Sequence, residues 1–197
     1  MTAPIRENLA AQMVALSGWH PEREGLIDPL AGSGTIVAEA WGWARGVPIS
    51  RTIPAWLGRP ATAPLRPDLH PQILALEDDA KIRPSLLRSL KDAGLPAECA
   101  VGADFRSFEP SRVRELITTE GGIVLTNPPY GVRIERTDDE LSELYEDLRD
   151  WSFALGPGWR IGLIGLPEPI EAVFGGAPKM KKPMRNGDLR TYFYLYG

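Results

Sequence analysis

Short apolar runs alternate with helically spaced apolar positions along most of the chain. Continuous apolar runs predict strands that are buried on both faces. They lie within residues 25–35, 72–78, 98–105, 121–129 and 159–169, and the first leads into a glycine-rich turn. Apolar residues at helical spacing predict helices over residues 5–17, 36–44, 80–95, 110–120 and 137–155. This alternation predicts a doubly wound α/β sheet whose body is parallel.

Two segments depart from that alternation. Asn186-Gly187 stands between two extended runs, which predicts a β-hairpin and therefore an antiparallel end to the sheet. Residues 46–71 contain six of the 19 prolines and predict an irregular inserted loop. The chain has 197 residues, 43% of them hydrophobic, which is enough for one sizeable core. We therefore expect a single domain over residues 1–197.

The charge balance narrows the range of partners. Against 22 Lys and Arg stand 26 Asp and Glu, and this net charge of -4 argues against tight nucleic-acid binding by the chain alone. A single cysteine, Cys99, excludes an internal disulfide and favours a reducing compartment. We find neither a signal-peptide pattern nor an apolar run approaching the roughly 18 residues of a membrane span. A cytoplasmic protein with no membrane and no metal partner is expected.

The segment "DPLAGSGT" (28–35) follows the first predicted strand. In a doubly wound sheet, ligands bind beyond the carboxyl ends of the strands, where the strand order reverses. Gly32 and Gly34 allow a tight turn and a close approach of a ligand to the backbone. No Lys follows the last glycine, as a P-loop requires, and the third glycine of the dinucleotide fingerprint is missing. A simple strand-to-helix turn therefore remains an alternative.

Acidic residues end the second and third predicted strands. Glu77 can accept hydrogen bonds from a ribose diol, while Asp78 and Asp79 fit a ribose site and a solvated helix start about equally well. Asp104, which precedes Phe105, can accept a hydrogen bond from an adenine amino group or cap a turn. Together these residues fit an adenosine with a small charged tail, and S-adenosylmethionine is the obvious candidate cofactor.

"NPPY" (127–130) follows the fourth predicted strand and indicates chemistry on an amine. The exocyclic amine of a nucleobase is a poor nucleophile because its lone pair is delocalised into the ring. The side-chain oxygen of Asn127 and the carbonyl of Pro128 can accept its two protons, and Pro129 fixes the turn. Tyr130 can stack on the base or lie near the sulfonium cation. A plain turn remains the alternative interpretation.

Five motifs follow one another in a familiar order: "DPLAGSGT", the acid after the second strand, "NPPYGVRI", "LYEDL" (144–148) and "RNGDL" (185–189). In these the chain resembles the catalytic domain of the THUMP-containing RNA guanine-N2 methyltransferases, which act on 23S ribosomal RNA or tRNA. The resemblance covers nearly the whole chain. It implies a Rossmann-like class I S-adenosylmethionine-dependent methyltransferase fold, with a mostly parallel seven-stranded sheet and a C-terminal antiparallel hairpin.

The resemblance also implies roles for individual residues. The first helix would lie over the methionine end of the cofactor, Glu77 would hold the ribose and Asp104 would face the adenine. The target guanine would be held by Asn127, Pro128 and Tyr130, while Arg133 would meet an RNA phosphate or form a buried ion pair. The predicted catalytic residues are Asn127, Pro128, Pro129 and Tyr130, with Tyr130 and Arg133 as substrate-binding residues. The predicted cofactor-binding residues are Asp28, Pro29, Ala31, Gly32, Ser33, Gly34, Thr35, Glu77, Asp78, Asp104, Phe105 and Asn127.

The identity of the substrate stays open among several hypotheses. Because the sequence begins at the catalytic domain, without the THUMP domain of the family, a separate RNA-binding partner would deliver the rRNA or tRNA under the first hypothesis. The alternatives are another planar amine or amide, such as adenine in DNA, a glutamine side chain or a small molecule, and a non-catalytic cofactor-binding subunit. Basic residues that could meet phosphates are Lys179, Lys181, Lys182, Arg185, Arg51, Arg59 and Arg66, with Trp56 as a base-stacking surface. A solvated basic face is the other interpretation of this set.

Overall fold

One sheet of seven strands runs through the part of the chain that a computed structural model describes, namely residues 5–46, 66–130 and 137–197. In chain order the strands are β1 (Gly25–Asp28), β2 (Ile73–Leu76), β3 (Ala100–Val101), β4 (Gly122–Thr126), β5 (Trp159–Gly165), β6 (Met180–Asn186) and β7 (Leu189–Tyr196). Their order in the sheet is β3-β2-β1-β4-β5-β7-β6. Strands β1 to β5 are parallel, and β7 is antiparallel to both of its neighbours. The predicted mostly parallel sheet with a C-terminal hairpin is confirmed.

Helices cover both faces of the sheet. They are α1 (Glu7–Ser17), α2 (Thr35–Arg45), α3 (Arg83–Ala93), α4 (Pro110–Leu116), α5 (Asp138–Ala154) and α6 (Pro167–Phe174). Successive strand side chains point to opposite faces, so in β1 Leu26 packs with α1, α2 and α3 while Ile27 packs with α4, α5 and α6. In the described part of the chain no helix is both long and apolar enough to cross a membrane.

Local sequence signals set several of the helix ends. Helix α5 begins with a capping box, in which Thr137 Oγ1 accepts from the Glu140 backbone N–H (3.2 Å) and Glu140 Oε2 accepts from the Thr137 N–H (2.9 Å). Such a box satisfies two backbone donors that a helix start otherwise leaves unpaired. Helix α3 ends at Gly94 in the left-handed conformation, with φ of 78°. Thr137 and Gly94 thus mark the start of α5 and the end of α3.

Three element predictions need correction. The predicted strand 98–105 is reduced to Ala100–Val101, and short 3₁₀ turns occupy Ala97–Cys99 and Phe105–Ser107. The predicted strand 159–169 ends at Gly165, because Pro167 starts helix α6 at a position where a missing N–H costs nothing. Helix α4 ends at Leu116 rather than at residue 120. Most of the predicted loop 46–71 lies outside the described residues.

The strand order reverses between β1 and β4. From β1 the chain steps outward to β2 and then β3, and it returns to pair β4 with the other edge of β1. The loops that follow Asp28 and Thr126 therefore leave the same end of the sheet and diverge. In a doubly wound sheet this is the position at which ligands bind.

Candidate cofactor and substrate site

A buried hydrogen bond joins the ends of β1 and β4. Thr126 Oγ donates to Asp28 Oδ1 at 2.7 Å, and the Leu30 backbone N–H donates to the same oxygen at 3.2 Å. Asp28 is only 1% exposed. Burial raises the pKa of its carboxyl group from 3.8 to about 7, although both hydrogen bonds favour the charged form. The cleft therefore contains a carboxyl group that changes charge near neutral pH.

The glycine-rich turn is hydrogen-bonded to the end of β2. Its Ala31 N–H donates to the Leu76 carbonyl at 3.0 Å, and its Gly32 N–H donates to Glu77 Oε2 at 2.8 Å. Gly32 has a φ of 55°, and a Cβ added there would meet no heavy atom within 4 Å. The backbone at Gly32 thus faces open space, as a ligand that approaches the main chain requires.

Gly34 lies at the start of α2, beside α3. It caps the start of α2 with a φ of 82°, and a Cβ added to it would lie 2.6 Å from Leu86 Cδ1 on α3. The residue lines neither of the cavities described below. The left-handed backbone conformation and the nearby Leu86 side chain both favour glycine at this position.

Glu77 is a buried carboxylate and not a solvated helix-start residue. Its Oε1 accepts from the Asp79 N–H at 2.9 Å while Oε2 holds Gly32, and burial raises its pKa above the ordinary value. A carboxylate offers about four acceptor positions, so it can still accept from a ligand. Asp79 is exposed and its Oδ1 accepts from the Lys81 N–H at 2.7 Å, and the residue also lines the cleft. Asp78 is exposed and faces the cleft.

Asp104 caps a turn rather than ending a strand. Its side chain accepts from the Arg106 backbone N–H at 2.9 Å and from Arg106 Nη2 at 2.7 Å. An adenine amino group would share this carboxylate with the Arg106 guanidinium. Phe105 is 1% exposed and packs edge-to-face on Trp151, with ring centroids 5.9 Å apart. Phe105 lines the cleft, and its packing in the core holds this part of the cleft wall in place.

Two adjoining cavities occupy the cleft. One, of about 310 Å³, is lined by the glycine-rich turn and by Ile5, and the other, of about 250 Å³, by the acids that follow β2 and β3. Both are lined by Leu30, Gly32, Asp79, Ile82 and Asn127. The predicted cofactor-binding residues in the first cavity are Asp28, Ala31, Gly32, Ser33, Thr35 and Asn127, and those in the second are Pro29, Gly32, Glu77, Asp78, Asp104, Phe105 and Asn127. The structure thus brings together every predicted cofactor-binding residue except Gly34.

Asn127 lies where the two cavities meet and is held within a network of side chains. Pro128 and Pro129 are buried beside it, and the half-buried Tyr130 donates a hydrogen bond from its hydroxyl to Asn127 Oδ1. Burial raises the pKa of Tyr130 to about 12, which keeps that hydroxyl protonated. The oxygen predicted to accept the substrate amine therefore already accepts one hydrogen bond and keeps a second lone pair.

Two further residues support this turn, and the sequence did not assign them a role. Tyr145 on α5 donates from its hydroxyl to the Pro129 carbonyl at 3.2 Å. Asn186 at the end of β6 donates from Nδ2 to the Tyr130 hydroxyl at 3.2 Å. Both lie in motifs that carried the family resemblance, "LYEDL" and "RNGDL". These motifs were the only available signal, because neither contact is local in the sequence.

The predicted basic residues have several different environments. Arg66 forms an ion pair with Glu22, and Lys181 forms one with Glu171 at 2.6 Å. Lys179, Lys182 and Arg185 are exposed. The predicted roles of Arg51, Trp56, Arg59 and Arg133 concern positions outside the described residues. In the described part of the chain, no three His, Cys, Asp or Glu residues are grouped to hold a metal ion.

The sheet order and the cleft at its reversal point define the class of protein: a class I S-adenosylmethionine-dependent methyltransferase fold. Residues 1–193 match the family described as RMKL-like, methyltransferase domain, and the chain belongs to that family. S-adenosylmethionine is accordingly its cofactor. The open approach to Gly32 and the remaining acceptor capacity of Glu77 fit such a ligand.

Curated relatives and solved structures extend over more residues than this chain. The chain is 27% identical over 215 residues to YpsC of Bacillus subtilis, and this match covers 98% of the chain and 52% of YpsC. It is 32% identical over 216 residues to the ribosomal RNA large subunit methyltransferase K/L of Shewanella pealeana, covering 98% of this chain and 29% of that protein. The crystal structure of SMU.472 complexed with SAH superposes with a TM-score of 0.77 at 22% identity, over 100% of this chain and 53% of that one. The chain therefore spans about half of YpsC and under a third of the K/L enzyme.

Proposed function

We propose that this chain is the catalytic domain of an RNA methyltransferase that transfers a methyl group to the exocyclic N2 amine of guanine in rRNA or tRNA. The observation that carries the proposal is the position of Asn127, which lines both halves of the cofactor cleft. An amine bound there lies beside the cofactor. The family membership and the rRNA methyltransferase name of the Shewanella relative favour RNA as the substrate.

The cofactor would be held by groups that the structure already orients. The two backbone hydrogen bonds to Glu77 fix its carboxylate, so that its free acceptor positions can meet ribose hydroxyls. Asp104 would accept from the adenine amino group, with Arg106 retained as its second partner. Asp28 lines the larger cavity, and the ammonium group of a methionine tail bound beside it would favour the charged form of its carboxyl group.

The proposed reaction depends on hydrogen-bond acceptors for the substrate amine more than on a general base. When bound, S-adenosylmethionine would supply an electrophilic methyl group on its sulfonium. The amine nitrogen would bond to this methyl as the carbon–sulfur bond breaks, which leaves S-adenosylhomocysteine, and one amine proton would pass to water. Asn127 Oδ1 and the Pro128 carbonyl would accept the amine protons and direct the nitrogen lone pair. Asn127 Oδ1 already accepts from the Tyr130 hydroxyl, and its second lone pair can accept from the amine. The Tyr130 ring would stack on the base.

The role of Asn127 can be tested by separating transfer from cofactor binding. We expect Asn127→Ala to lower methyl transfer from labelled S-adenosylmethionine to unmodified rRNA or tRNA by roughly 100-fold or more. Because Asn127 forms only part of the cleft lining, the Kd for S-adenosylhomocysteine measured by calorimetry should change by less than about 3-fold. Gln72→Ala is a matched control, since this amide lies before β2 at the opposite end of the sheet, bonded to Thr118. A normal transfer rate in Asn127→Ala would refute the acceptor role.

A further inference from the structure

A second concave surface lies between α1 and the β6–β7 hairpin. It is a groove of about 560 Å³, and its lining includes Arg6, Asn8, Gln12, Arg185, Arg190 and Tyr192. None of its lining residues is acidic, and none is shared with the two cavities of the cofactor cleft. The groove is therefore a separate site with its own, basic chemistry.

The arginines of the hairpin are arranged in a way that favours an anionic ligand. Arg185 and Arg190 face each other directly across β6 and β7, and both are exposed. Like charges in this arrangement destabilise a strand pair. Among the described residues, no ion pair involves Arg6, Arg185 or Arg190. The neighbouring Lys181, by contrast, is neutralised by Glu171.

Sequence neighbours of two groove residues, Arg6 and Arg185, belong to the candidate site. On one wall Ile5, next to Arg6, lines the larger cofactor cavity. On the other wall Asn186, next to Arg185, donates to the Tyr130 hydroxyl. Arg185 and Asn186 point to opposite faces of β6. Because β6 is the edge strand of the sheet, a chain-like ligand that follows this edge would pass from the groove to the turn that holds Asn127.

We propose that this groove binds the phosphodiester backbone of the nucleic acid whose base enters the site at Asn127. Arginine is suited to this because its planar guanidinium can donate two hydrogen bonds to one phosphate. Asn8, Gln12 and Tyr192 supply the neutral polar contacts that usually accompany phosphate recognition. On a chain with a net charge of -4, a groove lined by arginines and no acids is a surface that a polyanion can approach without local repulsion. This proposal rests on the proposed function and adds the position of the substrate strand.

The test compares the double variant Arg185→Gln/Arg190→Gln with the matched double variant Arg23→Gln/Arg88→Gln, whose arginines are also exposed and form no ion pair among the described residues. Binding of a fluorescein-labelled 20-nucleotide single-stranded RNA is followed by anisotropy at several salt concentrations. We expect the groove variant to bind about 10-fold more weakly at low salt. The salt dependence of its binding should weaken: the magnitude of the slope of log K against log salt should decrease by about 1.4, since each lost phosphate contact removes roughly 0.7. The matched variant should bind as the wild type does.

The same measurements with DNA of the same sequence identify the recognised group. Equal weakening for RNA and DNA supports recognition of the phosphates alone, and a larger loss for RNA supports an added ribose contact. RNA binding by the groove variant that equals the wild type would overturn the proposal. Urea unfolding checks the fold, and removal of the opposed Arg185 and Arg190 charges should leave the variant at least as stable as the wild type.

Failure of this proposal can be told apart from failure of the proposed function. If the wild type binds RNA through the groove but transfers no methyl group, the function is wrong and the groove stands. If the wild type methylates RNA and the groove variant does so with an unchanged KM, the groove is wrong and the function stands.

Discussion

The buried carboxyl group of Asp28 should make the stability of the cofactor-free protein depend on pH. Its pKa is 3.8 in the unfolded chain and about 7 in the native state, because burial favours the neutral form. Between these values the native state holds a proton that the unfolded state has lost. Between pH 3.8 and about 7 the free energy of unfolding therefore decreases by about 1.4 kcal/mol for each pH unit. The stabilisation that the bound proton provides is lost as the pH rises through the native pKa.

The perturbation is Asp28→Asn, which removes the titrating group and keeps an oxygen to accept from Thr126 and Leu30. Integrated from pH 5.5 to pH 8.5, the linkage relation gives a contribution of about 2 kcal/mol. The stability of the wild type should therefore fall by that amount relative to the variant across this range.

Urea unfolding of both proteins, without cofactor and at four or five pH values, measures the difference directly. The same chemical change at the exposed Asp68, Asp68→Asn, serves as the surface control. If the difference between the wild type and Asp28→Asn stays constant from pH 5.5 to 8.5, the buried and protonated state of Asp28 is refuted.

Two further substitutions test the remaining roles at the site. Tyr130→Phe keeps the ring and removes the donor to Asn127, so its kcat/KM for methyl transfer to RNA should stay within about 3-fold of the wild type. Tyr130→Ala also removes base stacking, so its kcat/KM should fall by roughly 10- to 100-fold. Equal losses in both variants, measured by steady-state methyl transfer, would contradict a stacking role. Glu77→Gln exchanges an acceptor for an amide N–H and disturbs the contacts to Gly32 and Asp79, so calorimetry should show S-adenosylhomocysteine bound about 10- to 100-fold more weakly. A change below about 2-fold would argue against the ribose role of Glu77.

The parts of the site that could be predicted from sequence are those that depend on residues close together in the chain. Apolar runs located β1, β2 and β4, and the alternation with helices fixed which ends of these strands carry the ligand. Glu77 and Asn127 follow strand ends directly, so their place in the cleft was predictable. The turn-cap alternative for Asp104 was likewise visible, because its partner Arg106 is only two residues away.

The remaining features depend on contacts between distant segments. The Asp28 carboxyl takes its raised pKa from burial, beside a partner, Thr126, that lies on another strand. Asn186 reaches Tyr130 only because β6 is brought to the site by the antiparallel end of the sheet. Helix α6 was missed because its "PEPIEAVF" segment is short and follows an apolar strand without a polar break.

The central claim is methyl transfer to a guanine amine in RNA, and nucleoside analysis tests it most directly. Unmodified 23S rRNA and tRNA transcripts are incubated with the wild type and labelled S-adenosylmethionine, then digested and separated by liquid chromatography with mass spectrometry. We predict label in N2-methylguanosine and none above background with Asn127→Ala. Label in N6-methyladenosine, or no labelled nucleoside from any RNA by a protein that binds S-adenosylhomocysteine, would contradict the claim.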